Sequence, residues 1–288
     1  MTERTSYGDE LGVVTVAYNS GSTMARFLDT LGGATSRPVR VVIVDNGPPD
    51  EVLEQAVAGR EHVKVLRPGE NLGYGTGANR GVADFGDEVG WVVVANPDIE
   101  WGAGSIDELL AAAKRYPRGG SFGPLIKEPT GEVYPSARLQ PSLGRGIGHA
   151  LLGRVWPGNP WTRTYRQSDT QITERDAGWL SGSCLLLRRE AFDSVDGFDS
   201  RYFMYFEDVD LGDRLGRAGW RNVYVPSAEV VHIGGTSTAH ASAKMLAAHH
   251  DSAYRYIADR HRGWQWRPVL AAIKAGLALR LKLENRGG

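Results

Sequence analysis

The chain of 288 residues contains a single cysteine, Cys184. One cysteine cannot form a disulfide within the chain, which favours a reducing compartment. The first ten residues are polar and lack the apolar core of a signal peptide. No uncharged apolar run reaches the roughly 20 residues that a membrane-spanning helix needs. These absences predict a cytosolic protein, with attachment to a surface left open.

The chain also lacks a large net charge. Its 33 Lys and Arg and 34 Asp and Glu give a formal net charge of −1, which argues against a general nucleic-acid binder. The charges are unevenly spread, because residues 255–288 hold eight basic and two acidic side chains, and residues 133–168 hold five arginines and no acid. The two basic zones together indicate an anionic surface or a phosphorylated ligand, although solvated surface arginines explain either zone alone equally well.

Short apolar runs alternate with helix-compatible segments through the first half of the chain. Four runs are predicted to be strands: Leu11–Ala17, Val39–Asp45, Val63–Leu66 and Trp91–Ala95. Three polar residues are predicted to cap the helices between and after them: Ser20, Asp50 and Ser105. Continuous apolar runs are typical of strands covered on both faces, as in a parallel sheet. The pattern predicts the α/β class, with ligands at the carboxyl ends of the strands.

The second half is less regular. Residues 119–177 are rich in Gly, Pro and Trp without a period, which predicts a functional loop or a lid. Order returns in three predicted elements: strand-like sequence within Trp179–Arg188, an acidic helix at Glu207–Arg217 and a strand at Asn222–His232. A final helical region begins near Ala239. Its last helix, Val269–Leu283, is apolar nearly all round, which predicts either a position in a membrane interface or a core or dimer contact.

A glycine-rich segment, Gly73–Gly81, contains the G-x-G-x-x-A pattern of dinucleotide sites. That pattern belongs in the first strand-to-helix turn, whereas here it follows the third strand, so an NAD site is not favoured. Glycines that open a helix still allow the backbone to approach a ligand closely. The segment is therefore a candidate border of a nucleotide or sugar site.

Polar side chains at strand ends suggest a nucleotide site and a cation site. Asp45 could accept a hydrogen bond from the N–H of a pyrimidine base, although such residues are also common in turns. Asn96 and Asp98 flank a stiff proline, and one carboxylate can complete an octahedral Mg²⁺ shell with diphosphate oxygens and water. An ordinary Asn-Pro turn is the alternative. His232 is a further candidate ligand, although a lone histidine is more often structural.

Glu207 and Asp208 follow a run of aromatic and apolar residues at a predicted helix start. Group transfer with inversion needs one base that takes the proton from the attacking hydroxyl. A helix N-terminus lowers the pKa of a carboxyl, whereas burial against Tyr205 and Phe206 and repulsion between the two acids raise it. The sequence leaves the sign of the net shift open. The alternative is that acids in the first turn only stabilise the helix dipole. That alternative accounts for the presence of Asp210 better than for Glu207 and Asp208.

Five motifs occur in order along the chain: Val14–Asn19, Val44–Gly47, Asn71–Gly75 with Asn79, Asn96–Asp98 and Phe206–Leu211. In that order they resemble the family 2 glycosyltransferases, which have the nucleotide-diphospho-sugar transferase fold, and the resemblance covers nearly the whole chain. Four further segments resemble rhamnosyl-transferring members of the family: Tyr134–Arg138, Asn159–Trp161, Gly178–Cys184 and Tyr224–Glu229.

The resemblance implies an inverting, metal-dependent transfer of L-rhamnose from dTDP-L-rhamnose to the 3-hydroxyl of GlcNAc on a polyprenyl diphosphate. This reaction belongs to synthesis of the arabinogalactan–peptidoglycan linker of the cell wall, at the cytoplasmic face of the membrane. The alternatives are another nucleotide sugar or acceptor, or a non-catalytic module that binds glycans at a membrane surface. A sugar-nucleotide pyrophosphorylase is disfavoured because the loop after the first strand, Tyr18–Gly21, lacks a basic residue.

The resemblance also implies a role for each candidate site residue. Asp208 would be the catalytic base, and Asp98 would bind Mg²⁺ or Mn²⁺ with support from His232. The nucleotide sugar would be bound by six residues: Tyr18, Asn19, Asp45, Gly73, Asn79 and Asn96. The acceptor would be bound by three: Trp179, Gly182 and Glu207. Many relatives carry two acids where this chain has Asn96 and Asp98, so a weaker metal site is expected.

The predicted architecture is a single α/β domain at residues 9–238, built on a mostly parallel Rossmann-like sheet. Its nucleotide-sugar half would cover about residues 9–118 and its acceptor half about residues 119–238. A C-terminal helical extension, residues 239–288, would follow. The basic loop and the basic extension would face a lipid diphosphate at an anionic membrane surface, without nucleic acid as a partner and with a homo-oligomer left open.

Overall fold

The structure is a computed structural model that describes residues 7–141, 172–234 and 243–284. The described strands are β1 Glu10–Ala17, β2 Val39–Asp45, β3 Val63–Leu66, β4 Val89–Ala95, β5 Ile99–Trp101, β6 Gly119–Lys127, β7 Val133–Tyr134, β8 Ala137–Arg138, β9 Arg175–Ala177, β10 Trp179–Leu180, β11 Cys184–Arg188 and β12 Arg221–His232. The described helices are α1 Gly21–Ala34, α2 Glu51–Val57, α3 Tyr74–Val82, α4 Ser105–Arg115, α5 Arg189–Asp193, α6 Glu207–Arg217, α7 Ala243–Arg260 and α8 Arg267–Glu284.

The central sheet has the strand order β3-β2-β1-β4-β11-β6-β12-β5. The first four strands are parallel, β11 is antiparallel to both of its neighbours, and β6 and β12 are again parallel. Strands β8 and β10 form a separate antiparallel ribbon. The predicted α/β class with a mostly parallel central sheet is confirmed.

The apolar runs of the sequence form the buried strands because helices cover both faces of the sheet. Successive side chains of a strand point to opposite faces, so Val13 packs with Met24 and Phe27 of α1 in one core, whereas Val14 packs with Val82 of α3 in the other. Both valines are fully buried. Burial of one such side chain stabilises the fold by about 1.5–3 kcal/mol.

Strand β6 corrects one prediction. Residues 119–127 were assigned to an irregular loop because they are rich in glycine, yet they form a nearly fully buried strand beside β11 and β12. The glycines leave room for packing, since a Cβ on Gly120 would lie 2.8 Å from the Cβ of Trp220, and one on Gly123 would lie 3.1 Å from Leu180. The segment therefore has a single β-branched residue, Ile126, although the strand is central.

The predicted helix caps have mixed outcomes. Asp50 caps α2, because its carboxylate accepts hydrogen bonds from the N–H groups of Val52 and Leu53. Ser20 stands at the N-cap of α1, but its hydroxyl bonds the carbonyl of Tyr18 instead of the helix. The prediction for Ser105 is wrong by one residue, since Ser105 is the first residue of α4 and Gly104 precedes it in a left-handed conformation.

The C-terminal helices differ in their environment. Helix α7 packs on the α/β part of the chain, where Tyr256 is buried with Tyr202 and Val209. Helix α8 has no buried residue among those whose side chains are described, and Leu279 is 59% exposed. None of the described helices has the length and hydropathy for a membrane span. The predicted start near Ala239 lies outside the described residues.

Candidate active site

The carboxyl end of β2 carries a buried carboxylate. Asp45 Oδ1 accepts a hydrogen bond from the N–H of Gly47 at 3.1 Å. Its Oδ2 accepts none from the described residues and lies 3.6 Å from Nε of Arg67. Burial raises the pKa of Asp45, against the opposing effects of the Gly47 N–H and the Arg67 charge. A buried carboxylate oxygen that accepts no hydrogen bond, at a strand end, suits an N–H donor on a ligand.

Asn19 lies directly beside this carboxylate. Its φ of 53° is left-handed, a conformation that asparagine tolerates better than most residues. A Cβ on Gly47 would lie 3.2 Å from the Asn19 nitrogen and 3.3 Å from Asp45 Oδ1, so the three residues crowd one place. Tyr18, at the end of β1, is 50% exposed. The structure thus brings Tyr18, Asn19 and Asp45 to one edge of the sheet.

Gly73 joins α3 to the aromatic segment around Phe203. Its φ of 78° favours glycine, and a Cβ there would lie 2.2 Å from the Phe203 carbonyl oxygen. The same carbonyl accepts a hydrogen bond from the N–H of Tyr74 at 3.0 Å. The side chain of Asn46 donates to the carbonyl of Gly73 at 3.0 Å. Gly73 therefore allows the loop after β2 and the aromatic segment to meet at the start of α3.

Asn79 is placed differently from its predicted role. Its Nδ2 donates to the carbonyl of Phe198 at 2.7 Å, and its Oδ1 accepts from the N–H of the same residue at 2.9 Å. Both ends of the amide are therefore engaged with one backbone position. This arrangement clamps α3 to the loop before the aromatic segment, and the contact of Asn79 with the nucleotide sugar stays a prediction.

Asn96, Asp98 and His232 meet beyond the carboxyl end of β4. His232 Nε2 lies 3.0 Å from Asp98 Oδ1 and 3.2 Å from Asn96 Nδ2. The antiparallel pairing of β12 with β5 and a hydrogen bond from the N–H of Ile233 to the Asp98 carbonyl hold them together. One ring nitrogen cannot donate to Asp98 and accept from Asn96 at once.

The residues at this place fit a divalent cation. Asp98 Oδ1 is buried and accepts no hydrogen bond from the described residues. Two neighbouring ligands of an octahedral ion at about 2.1 Å lie about 3.0 Å apart, which matches the separation of Asp98 Oδ1 and His232 Nε2. Within the described ranges, no group of three or more His, Cys, Asp or Glu side chains could hold a metal. Further ligands would therefore come from substrate oxygens and water.

Glu207 and Asp208 begin α6 as a closely coupled acid pair. Glu207 is buried, and burial followed by the Asp208 charge raises its pKa to about 8. Burial also raises the pKa of Asp208, but its carboxylate accepts hydrogen bonds from the N–H of Gly182 at 2.9 Å and of Val209 at 2.8 Å. These bonds favour the charged form of Asp208. The two N–H groups therefore stabilise Asp208 in the ionised form that can accept a proton.

The turn before this pair has an unusual backbone. Tyr205 and Phe206 have φ values of 67° and 66°, a left-handed conformation that costs a non-glycine residue about 1–3 kcal/mol. The ring of His249 in α7 packs edge-on against both, with centroids 5.3 and 5.6 Å apart. The hydroxyl of Ser252 donates to the carbonyl of Met204 at 2.9 Å. Helix α7 thus supports the turn that aims the two acids.

Gly182 connects the base with the cation site. Its N–H donates to Asp208 Oδ2, and its carbonyl accepts from the hydroxyl of Tyr74 at 2.5 Å. The carbonyl of the next residue, Ser183, accepts from the N–H of Asn96 at 2.9 Å. The pKa of Tyr74 is raised by burial first and then by nearby acids that include Glu207, Asp208 and Asp98. The acid pair Glu207 and Asp208 and the cation ligand Asp98 therefore border the same region around Gly182.

Tyr74 is a candidate site residue that the sequence does not single out. It is the second residue of the glycine-rich segment, whose pattern points only to its backbone. The ring of Tyr74 packs edge-on against Phe198, with centroids 6.3 Å apart. A Cβ on Gly182 would lie 3.5 Å from Tyr74 Cε1. Tyr74 therefore fills the space between the base and the cation site.

Trp179, predicted to bind the acceptor, lies against the helix that carries the base. A Cβ on Gly212 of α6 would lie 2.8 Å from the Trp179 Cβ, so α6 and β10 are in close contact. The indole N–H donates to the carbonyl of Leu139 at 3.2 Å. Directly across the ribbon, Arg138 places its guanidinium 5.6 Å from the indole centroid. The indole of Trp179 and the guanidinium of Arg138 together form one side of the region near Asp208.

Comparison with known proteins identifies the family of the chain. The sequence model of glycosyl transferase family 2 matches residues 12–196, and that of glycosyl transferase family group 2 matches residues 164–281. The N-acetylglucosaminyl-diphospho-decaprenol L-rhamnosyltransferase of Mycobacterium tuberculosis is 55% identical over 96% of this chain and 94% of its own. The rhamnosyltransferase WbbL of Escherichia coli is 28% identical over 86% of this chain and 92% of its own.

Two solved structures resemble the fold at low sequence identity. The mannosyltransferase PcManGT of Pyrobaculum calidifontis, in complex with GDP-Man and Mn²⁺, has a TM-score of 0.57 at 17% identity and covers 99% of this chain and 77% of that chain. GalNAc-T7 with UDP, GalNAc and Mn²⁺ has a TM-score of 0.58 at 16% identity, over 78% of this chain and 44% of that one. These likenesses support the fold.

Proposed function

The chain belongs to glycosyl transferase family 2, and from this we propose that it transfers L-rhamnose from dTDP-L-rhamnose to the 3-hydroxyl of GlcNAc on a polyprenyl diphosphate. The observation that carries the proposal is the 55% identity, along nearly the full length of both chains, to an enzyme named for that acceptor and that sugar. The site geometry supports the same class of reaction, because Gly182 contacts the base and its neighbour Ser183 contacts Asn96, two residues before the cation ligand Asp98.

The donor binds at the carboxyl ends of β1, β2 and β4. Asp45 accepts a hydrogen bond from the pyrimidine N–H through its unpaired Oδ2, with Tyr18 and Asn19 beside the base and ribose. The backbone at Gly73 allows close approach from the opposite side. Asn96 contacts the diphosphate from the loop after β4. This arrangement orients the sugar toward Gly182 and Asp208 at the middle of the sheet edge.

Asp208 acts as the general base. Its carboxylate takes the proton of the acceptor 3-hydroxyl while the hydroxyl oxygen forms a bond to C1 of rhamnose and the bond from C1 to the diphosphate oxygen breaks. Attack from the face opposite the diphosphate inverts the anomeric carbon. The Gly182 N–H fixes the carboxylate, Glu207 contacts the acceptor in its protonated form, and Trp179 packs against the acceptor sugar.

Asp98 and His232 would hold Mg²⁺ or Mn²⁺ together with oxygens of the donor diphosphate. When bound, such an ion neutralises negative charge that develops on the leaving diphosphate. Because Asn96 replaces an acid found in many relatives, the protein supplies one carboxylate here, and the ion is expected to bind tightly only with the nucleotide present.

We propose further that the protein attaches peripherally to the cytoplasmic face of the membrane, where a polyprenyl-linked acceptor resides. Helix α8 supports this, because apolar side chains are exposed along it, including Val269 at 36% and Leu279 at 59%. Trp264, before α8, is 83% exposed. Exposed aromatic and aliphatic residues with basic neighbours are typical of helices that lie in a membrane interface. Most of the basic segment at residues 133–168 lies outside the described residues.

The proposal is tested by offering the purified protein dTDP-L-rhamnose, UDP-GlcNAc and GDP-mannose, each with GlcNAc on a farnesyl diphosphate, in the presence of Mg²⁺ or Mn²⁺. We expect product only from dTDP-L-rhamnose, with a mass gain of one deoxyhexose and a linkage to the 3-hydroxyl by NMR. Transfer of another sugar would assign a different donor. Binding of the lipid without turnover of any donor would favour a non-catalytic glycan-binding module.

A further inference from the structure

Arg138 is a half-buried cation that makes no ion pair with the residues the structure describes. Other arginines on this side of the molecule face carboxylates, as Arg115 faces Glu174 and Arg221 faces Asp176. Arg138 donates through Nε to the carbonyl of Pro135 at 2.8 Å, while no carboxylate in the described ranges lies within ion-pair distance of its guanidinium. A partly buried guanidinium that lacks a carboxylate partner is a candidate site for an anionic ligand.

Two aromatic rings hold this side chain in place. The guanidinium carbon lies 5.7 Å from the ring centroid of Tyr134 and 5.6 Å from that of Trp179. Arg138 and Trp179 are direct partners in the ribbon of β8 and β10. Contacts with two rings restrict the orientation of a planar guanidinium, which can still donate from terminal N–H groups to an anion. The cation is therefore partly oriented before any ligand arrives.

The position of Arg138 relates it to the base. Trp179 precedes Gly182 by three residues, and Gly182 donates its N–H to Asp208. The charge of Arg138 is also near enough to lower the pKa of Asp208, against the larger effect of burial. On the other side of Gly182, Ser183 and Asn96 lead toward Asp98 and His232. Arg138 thus lies near the base through Trp179, whereas the cation ligands are reached through Ser183 and Asn96.

We propose that Arg138, held between Tyr134 and Trp179, binds the diphosphate of the lipid-linked acceptor. This inference rests on the function proposed above. The reacting 3-hydroxyl must lie at Asp208, and the diphosphate is on C1 of the same sugar, separated from C3 by one ring carbon. A guanidinium matches two phosphate oxygens with two parallel N–H groups, which fixes the sugar in direction as well as in place.

The donor also carries a diphosphate, so the experiment must distinguish binding of the acceptor diphosphate from binding of the donor diphosphate. Initial rates of the wild-type enzyme, Arg138→Gln and Arg138→Lys are measured with dTDP-L-rhamnose and two acceptors. One acceptor is GlcNAc on farnesyl diphosphate, and the other is octyl β-GlcNAc, which is uncharged. Arg26→Gln serves as the matched control, because Arg26 is an exposed arginine on α1 that pairs with Glu100.

We expect Arg138→Gln to raise KM for the diphosphate acceptor by about 10- to 100-fold, since hydrogen bonds to charged groups contribute about 1.5–3 kcal/mol. KM for dTDP-L-rhamnose and kcat/KM for octyl β-GlcNAc should change by less than about 3-fold, within the ordinary scatter of neutral substitutions. Arg138→Lys should recover part of the loss, because it keeps the charge without the planar fork.

Three results would overturn the inference. A rise in KM for the donor alone would assign Arg138 to the donor diphosphate. An equal loss with the charged and the neutral acceptor would mean that Arg138 acts through Asp208 or through the fold. Unchanged kinetics would remove Arg138 from the site.

A binding measurement keeps this test separate from that of the proposed function. If the wild-type protein transfers rhamnose to neither acceptor, the proposed function fails on its own. Titration calorimetry with GlcNAc on farnesyl diphosphate then decides the role of Arg138 without turnover. Binding about tenfold weaker to Arg138→Gln than to the wild type and to Arg26→Gln is expected, and equal binding by all three proteins contradicts the inference.

Discussion

The backbone N–H of Gly182 donates a hydrogen bond to Oδ2 of Asp208 at 2.9 Å. The approach is close, since a Cβ on Gly182 would lie 3.3 Å from the Cβ of Asp208. A bond of this kind favours the ionised carboxylate and fixes the direction of its oxygens. Burial works against ionisation, so the contact helps to keep a base charged in a place where protein surrounds it.

Asp208→Asn is expected to abolish proton abstraction with little change in the shape of the site. A positioned general base contributes about 10²–10⁴-fold to rate, so kcat should fall by that factor while the Kd of the donor changes by less than about 3-fold. Stopped-assay turnover and calorimetric titration with dTDP-L-rhamnose measure the two quantities. Asp87→Asn, an exposed aspartate at the opposite end of the sheet, is the control. Wild-type turnover by Asp208→Asn would show that another group is the base.

Glu207→Gln is expected to change how stability depends on pH. The pKa of Glu207 is raised from 4.5 to about 8 in the folded protein, so between these values the folded state holds a proton that the unfolded chain has lost. Stability therefore falls as pH rises through this window. Glutamine cannot titrate, so Tm of Glu207→Gln should decline less than wild-type Tm between pH 5 and pH 8. Parallel Tm curves for the two proteins would contradict the assignment.

Asp98→Asn is expected to weaken divalent cation binding. It removes the one carboxylate beside His232 and keeps the side-chain volume. Mn²⁺ binding in the presence of dTDP, followed by electron paramagnetic resonance, should become at least about tenfold weaker. Asp84→Asn, which affects a surface pair with Lys64, is the matched control. If Mn²⁺ binds equally well to Asp98→Asn, the cation site lies elsewhere.

Asn79→Ala is expected to destabilise the protein without weakening donor binding. The substitution leaves the N–H and the carbonyl of Phe198 without their partner, and unpaired buried groups cost about 1–3 kcal/mol each. Urea unfolding should report that loss, while KM for dTDP-L-rhamnose should stay within about 2-fold of wild type. Asp45→Asn serves as the comparison, because it alters the carboxylate proposed to bind the pyrimidine, and its KM for dTDP-L-rhamnose is expected to rise. A raised donor KM for Asn79→Ala at unchanged stability would restore its predicted binding role.

Truncation after Pro268 is expected to weaken binding to liposomes that contain anionic lipid. It removes α8, whose exposed apolar residues and basic side chains face solvent. The loss should be greater at low salt, because screening already weakens the basic contribution at high salt. Sedimentation with liposomes at two salt concentrations measures it, and circular dichroism checks that the truncated protein is folded. Identical sedimentation of the two proteins would defeat the prediction.

Much of the sheet could be predicted from sequence, because β1, β2 and β4 are runs of branched apolar residues that are buried on both faces. Strand β6 could not, since its place depends on Trp220 and Leu180 packing where glycine has no side chain. Helix α6 was predicted to its exact ends because an acidic start and Gly219 mark them. Ser20 was misjudged because its hydroxyl has a competing local carbonyl, which sequence does not reveal.

The site residues show the same contrast between local and long-range signals. The sequence predicts three of them, Asp98, Asp208 and His232, because acids and histidines at the ends of strands and helices are candidate bases and metal ligands. Tyr74 was missed because its importance comes from the distant carbonyl of Gly182, more than a hundred residues later. The clamp formed by Asn79 likewise depends on a partner that no local pattern names. The positions of Tyr74 and Asn79 thus depend on contacts with segments that are remote in sequence, and residue types alone do not predict such contacts.

Helix α7 has a practical consequence for anyone who wishes to trim the enzyme. A chain that ends after β12 would lose the histidine ring and the serine hydroxyl that hold the left-handed turn before the acids. Removal of α8 alone touches neither contact. The safe cut for a shortened, more tractable enzyme therefore falls near Gly263, between the two helices, and not at the end of the sheet.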